Sequence, residues 1–266
     1  MELRLIGSIF AIAFLFPFFP LLLMSLSGSW RWPELIPVEW SLRTWQYVFS
    51  SHSGTYQAVG YSLAIAFAVT AINLLLAIPA GNALARAELR GKTWISAILY
   101  SPIIIPPFAA MMGIHFTFVR LQLTETVFGV ILAHLPPTLP YVIRALTSSY
   151  QTLGYAWEQQ AQMLGAGPLQ RFWYVALPHL IPGIAVGSAL SILVSLSQYL
   201  ITFLIGSGQV ITLPILLFPF LNGGDLGVAA AYTILFTMMA LFALVFMDRL
   251  LKRYYRQESN QVVKEG

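Results

Sequence analysis

Residues able to make or break bonds are scarce and dispersed in this sequence. Its four histidines, His52, His115, His134 and His179, stand far apart, and no His-Glu-x-x-His, Gly-x-Ser-x-Gly or carboxylate pair accompanies them. Cysteine is absent, which removes a thiolate metal site, a thiol nucleophile and a disulfide framework together. Arg90-Gly91-Lys92-Thr93 ends like a phosphate-binding loop, but Arg86 occupies the place of its first glycine and no strand precedes it. ATP chemistry is therefore not expected of this chain, and neither catalytic nor metal-ligating residues are assigned.

What remains is polar chemistry without catalysis, in two groups. The first is a polar, helix-forming island between apolar runs, Glu158-Gln159-Gln160-Ala161-Gln162-Met163-Leu164-Gly165. At about 100° per residue Trp157, Ala161 and Leu164 share one stripe while Glu158, Gln159 and Gln162 take the opposite arc, so one face can dock and the other stay wet. Gly165 permits a turn that a side chain would resist, and Gly167-Pro168 ends one helix and starts the next, which predicts a helix–turn–helix hairpin. The second group lies inside apolar segments: Asn73, then Ser191, Ser195, Ser197, Gln198, Tyr199 and Thr202. Such groups either hydrogen-bond helix to helix or line a path for a solute. Asn73, Ser195, Gln198 and Thr202 are the candidate path residues, the last three on one helical face because Gln198 and Thr202 lie four apart and Ser195 three earlier.

The elements that must position these groups are membrane spans. Hydrophobic residues make up 58% of the 266 residues and charged ones 9%, with a mean hydropathy of +0.76, too little polar surface for an ordinary soluble domain. A span needs about 20 apolar residues, and six stretches qualify: Leu5–Leu26, Val59–Leu84, Trp94–Val119, Thr126–Ala145, Leu180–Ile205 and Leu226–Leu251. Arg4, Arg86, Arg90, Lys92, Arg144, Arg171 and the basic tail from Arg249 fall on one side, and only Arg31, Arg43 and Arg120 on the other. The positive-inside rule makes the first side cytoplasmic, with both termini and the island there. Ser25-Leu26-Ser27 could end a signal peptide, but the apolar stretch before it is longer than a signal core and its start carries little positive charge, which favours an uncleaved first helix. The net charge of +4 is explained by this placement, and nucleic-acid binding has no support.

Between the spans, Gly28 to Tyr56 carries Trp30, Trp32, Trp40, Trp45 and Tyr47, as residues at a membrane–water interface do. Prolines cluster at Pro17 and Pro20, at Pro102, Pro106 and Pro107, and at Pro136, Pro137 and Pro140, where each removes a backbone bond that lipid cannot replace. The third and fourth spans are thereby expected either to face a pathway or a helix seam or to carry purely structural kinks. Ala64, Ala66, Ala68, Ala77, Ala80 and Gly81 in the second span suit close helix packing.

The island, followed at a fixed distance by Val175-Ala176-Leu177-Pro178, closely resembles the cytoplasmic loop signature of membrane-spanning subunits of binding-protein-dependent ABC importers: Glu-Ala-Ala, three residues, Gly, nine residues, Ile-x-Leu-Pro. Gln159 stands where the signature has Glu, with Glu158 one place before, and Gln160 replaces the first Ala. Trp40-Ser41-Leu42-Arg43-Thr44-Trp45-Gln46-Tyr47 and Tyr61 to Arg86 resemble other parts of the same family. Ser195 to Phe203 with Thr212-Leu213-Pro214 looks most like its polyamine and ferric-ion branch, without the acidic residues polyamine members carry near Ser197 and Gln198.

The resemblance implies an all-α integral membrane protein of six transmembrane helices, with a short cytoplasmic coupling-helix hairpin between the fourth and fifth. Residues 1–266 would form one permease domain with a coupling loop at about 146–179 and a cytoplasmic tail at about 252–266. Trp157, Glu158, Gln159, Ala161, Leu164, Gly165 and Ala166 would contact an ATP-binding subunit. That subunit would hold the ATP and Mg, and this chain no cofactor. A second permease subunit, identical or related, an extracytoplasmic substrate-binding protein and the lipid of a bacterial-type inner membrane complete the expected partners. The alternatives are an ion-coupled carrier, disfavoured because Asp and Glu are missing from the span interiors, and a non-transporting membrane scaffold. The same absence points to a solute that is neutral, anionic or a chelated cation.

Overall fold

The computed structural model describes residues 16–28, 30, 34, 37, 39–88 and 90–265, with side chains up to Arg249 except that of Pro107. It is 80% helical, and the described residues include no strand, only an isolated antiparallel bridge between Ser27 and Trp40. In chain order the helices are α1 (Phe18–Ser25), α2 (Arg43–Val48), α3 (Thr55–Arg86), α4 (Lys92–Ile104), α5 (Pro107–Arg120), α6 (Val127–Leu153), α7 (Ala156–Met163), α8 (Pro168–Arg171), a π-helical turn at Phe172–Ala176, α9 (Leu177–Leu196), α10 (Tyr199–Gly206), α11 (Leu213–Gly223) and α12 (Leu226–Glu265). Among the described residues four stretches are long and apolar enough to span a membrane: Thr55–Arg86, Val127–Leu153, Pro168–Leu196 and Leu226–Arg249. The bent pair α4–α5 would make a fifth. Of the expected first span, Leu5–Leu26, only residues 16–26 with α1 fall in described residues; residues 5–15 lie outside them.

The expected boundaries shift for identifiable reasons. The expected third span, Trp94–Val119, is two helices bent by 100°, because Ile105 and Pro106 each precede a proline and are driven to extended backbone, with ψ of 132° and 125°. Pro136, Pro137 and Pro140, in contrast, sit inside an unbroken α6, where the Thr138 hydroxyl donates to the carbonyls of His134 and Leu135 at 2.6 and 3.1 Å. That helix also runs past the expected Ala145 to Leu153, and α8 leads directly into the fifth span, so the loop contracts to residues 154–167. The expected helix Leu180–Ile205 is broken after Leu196. α11 was not expected as a helix at all.

The chain divides into two compact units, one comprising residues up to Ser62 with Ile211–Leu241, the other Leu63–Val210 with the chain from Phe242. In the first, buried Tyr232 of α12 shares a hydrogen bond with Thr55 at 3.0 Å and stacks on Phe220, and Ser62 Oγ accepts the backbone N–H of Leu213 at 2.9 Å. In the second, α6 and α9 run antiparallel in close contact: a β-carbon at Gly187 would lie 3.2 Å from the Val142 Cα, and one at Gly183 would collide with Ser149. Gly81 of α3 meets Leu146 just as closely. Small residues let these backbones approach where lipid offers no hydrophobic drive for packing. The seam buries Ala77, Val142, Ile143, Leu146, Leu180 and Ile184.

Candidate functional site

The polar island forms α7, a two-turn helix held between two glycine turns. Gly154, with φ of +65°, ends α6. At the other end Gly165 takes φ of +85° while the Ala166 N–H reaches the Ala161 carbonyl and the Gly165 N–H reaches Gln162, both at 3.0 Å. This is a Schellman termination, the reason that position favours glycine. Pro168 then starts α8, and the Gln170 side chain accepts the Gly167 N–H at 2.9 Å. Arg171 reaches back to Gln162 at 2.6 Å and closes the hairpin. The following π turn places Leu177 N–H on the Phe172 carbonyl, just before Pro178, which brings no N–H of its own.

The orientation of α7 differs from the helical-wheel expectation. Glu158 is turned toward the bundle, where Arg86 at the end of α3 donates to it at 2.8 Å and to the Gly154 carbonyl at 2.6 Å. The guanidinium lies over the rings of Tyr150 and Tyr155 at 4.9 and 5.0 Å, and the Tyr155 hydroxyl donates to the Arg86 carbonyl at 2.7 Å. Arg86 and Glu158 side chains retain only 8% and 21% exposure. Facing outward instead are Trp157, Met163 and Leu164, at 59%, 87% and 89% exposure. Gln159 is also exposed, and Ala161 and Ala166 are half-buried. Leu164, Gly165 and Ala166 line a hollow of about 400 Å³ with Ala161, Arg171 and Tyr174. Arg86 was missed as a partner because it lies 72 residues from Glu158.

The second polar group separates into a seam and a break. Asn73 donates to Thr138 at 2.7 Å and to Ser191 at 3.0 Å, and Thr70 donates to Ser191 at 2.9 Å, joining α3, α6 and α9. Ser195 and Thr202 both bond His134, at 3.0 and 2.9 Å. Asn73, Ser195 and Thr202, expected to line a path, are therefore buried within helix contacts of this chain. Their common helical face with Gln198 is also lost. Ser197 and Gln198 form the gap between α9 and α10, with Gln198 at φ −75°, ψ 85° and the Tyr199 N–H on the Ser197 carbonyl at 3.0 Å, an inverse γ-turn. Ser197 is exposed there and Gln198 half-buried.

A family model described as "Binding-protein-dependent transport system inner membrane component" matches residues 74–256, which include α7, the break and the α6 and α9 sides of the seam. The chain is 28% identical over 250 residues to PhnV of Salmonella typhi, named as a permease protein of 2-aminoethylphosphonate transport, covering 93% of this chain and 94% of that one. It is 32% identical over 135 residues to WtpB of Pyrococcus abyssi, a molybdate/tungstate transport system permease protein, covering 51% and 54%. Its fold is similar to a chain in the crystal structure of a bacterial ABC transporter involved in import of the acidic polysaccharide alginate, with a TM-score of 0.69 over 95% of this chain and 94% of that one at 18% identity. The chain belongs to the inner-membrane components of binding-protein-dependent transport systems and is a permease component of an ABC importer.

Proposed function

We propose that this permease transmits ATP-driven closure through α7, with Trp157, Met163 and Leu164 seated on an ATP-binding subunit and Arg86 carrying the displacement into α3. The observation that carries the reading is the outward apolar edge on a helix whose acidic residue is fixed inward. Large apolar side chains left open at the end of a charged, hydrated loop mark a partner surface. In this reading the hairpin is cytoplasmic, both termini are cytoplasmic, and the six spans form one permease domain in a bacterial-type inner membrane. ATP and Mg bind the partner, and this chain contributes no catalytic group. A second permease supplies the other half of the path, and a substrate-binding protein delivers the solute from outside.

The break at Ser197–Gln198 is the part of the fifth span we assign to the path, because irregular backbone at membrane depth needs water or protein to satisfy it. Ser195, Thr202 and Asn73 hold that break from behind. The solute is read as a small oxyanion or zwitterion: the spans offer hydroxyl and amide groups without an interior carboxylate, and the relatives named above are phosphonate and molybdate/tungstate permeases. Uptake of spermidine in preference to 2-aminoethylphosphonate or molybdate would overturn the solute reading. The docking reading is tested by Leu164→Glu: the ATP-binding subunit should no longer co-purify with the permease, and its full retention would refute the assignment.

A further inference from the structure

The hydrogen bonds around His134 have a direction. Thr202 Oγ1 donates its single proton to the Gln198 carbonyl at 2.6 Å, so toward His134 Nε2, 2.9 Å away, it can only accept. A neutral His134 is thereby fixed as the Nε2–H tautomer, and its Nδ1 accepts from the Ser195 hydroxyl at 3.0 Å. One imidazole thus spans the gap in the fifth span, with Ser195 at the end of α9 on one nitrogen and Thr202 in the first turn of α10 on the other. All three side chains are at most 4% exposed.

The backbone of His134 is held in turn. Its carbonyl accepts from Thr138 at 2.6 Å, and Thr138 accepts from Asn73 of α3 at 2.7 Å. A line of polar contacts therefore runs from α3 to the break through residues that apolar packing alone would not require. Neither proline nor glycine occupies Ser197–Gln198, so the gap is not imposed by a residue that cannot continue a helix.

We infer that His134 is a positioning residue for transport: it clasps the two halves of the broken fifth span and sets how far Ser197 and Gln198 open toward the path. This rests on the reading that the break faces the path, and the test separates the two. A single cysteine replaces Ser197 in the full chain, which has no native cysteine, and its rate of reaction with a charged, water-soluble maleimide is measured in membranes. His134→Leu should change that rate on the order of tenfold, as expected when two buried hydrogen bonds of ordinary net strength are removed. His134→Gln, which keeps one donor and one acceptor, should recover most of the native rate, a rescue that mere filling of space would not give. A cysteine at exposed Ser207, beyond α10, should react equally in all backgrounds.

An unchanged rate in His134→Leu overturns the clasp. Should that variant fail to accumulate, Ser195→Ala and Thr202→Val each remove one end of the bracket and should each shift the rate part of the way; no shift in either overturns it equally. A cysteine at 197 that is silent with His134 intact but reactive in the leucine variant keeps the clasp and refutes the path reading. Silence in both backgrounds refutes both.

Discussion

The two polar regions of this permease hold helices together by different chemistry. At the loop, Arg86 and Glu158 form a charged pair flanked by two tyrosine rings at the end of α3. At the break, deep in apolar helices, His134 is bracketed by uncharged hydroxyls, and no carboxylate lies in the interior of any expected span. The difference follows from solvent. A charge at bilayer depth costs at least about 2.5–3.5 kcal/mol, whereas at the edge of the membrane one face of an ion pair remains hydrated. Charge therefore holds the loop helix α7, and neutral hydrogen bonds hold the element buried among the apolar helices.

The largest effect is expected at Arg86. Arg86→Ala removes donors to Glu158 and Gly154 and leaves a half-buried carboxylate unpaired, which should loosen α7 by about 1.5–3 kcal/mol. Limited proteolysis of the 154–167 segment in the purified permease should quicken accordingly. Arg86→Lys should restore only part of the protection, since an ammonium cannot reproduce the planar fork that reaches both acceptors.

A smaller effect is expected at Gly165. No atom lies within 4 Å of a β-carbon built there, so Gly165→Val is penalised by backbone conformation alone. Left-handed backbone costs an L-residue about 1–2 kcal/mol, and hydrogen exchange across Ala156–Ala166 should rise by the corresponding factor. Gly165→Asn should be far milder, because asparagine tolerates that conformation. The smallest effect sharpens the contrast between ion pairs. Arg43 and Asp225 also pair, at 3.1 Å, but their side chains are 65% and 39% exposed. Arg43→Ala should therefore change stability by less than about 1 kcal/mol, read as a near-native thermal midpoint.

The sequence makes one half of this comparison more legible than the other. Gly165, Gly167 and Pro168 announce the ends of the hairpin because each acts through its own backbone, and Pro106 and Pro107 announce the break between α4 and α5 for the same reason. Glu158 misleads: a helical wheel measures only the periodicity of its own helix, and the residue that turns it inward comes from α3. Ser197–Gln198 carries no local signal, since that gap is bracketed by a side chain from α6. Asn73, Ser195 and Thr202 are conspicuous as polar residues in apolar segments, but composition does not distinguish a group facing a path from one bonded to the next helix. The family likeness is visible in the loop spacing and in the segments around Trp40–Tyr47, Tyr61–Arg86 and Ser195–Phe203, and the match over residues 74–256 agrees with it.

The proposed coupling carries motion at α7 to the break through Arg86 and α3. Its most direct test places a cysteine at Ser197 in permease co-purified with its ATP-binding subunit and compares maleimide labelling without nucleotide and after trapping with ATP and vanadate. With Arg86 present the two rates should differ. With Arg86→Ala the subunit should still be bound through Trp157, Met163 and Leu164, yet the difference should vanish; a nucleotide-dependent difference that persists undiminished without Arg86 would contradict the account.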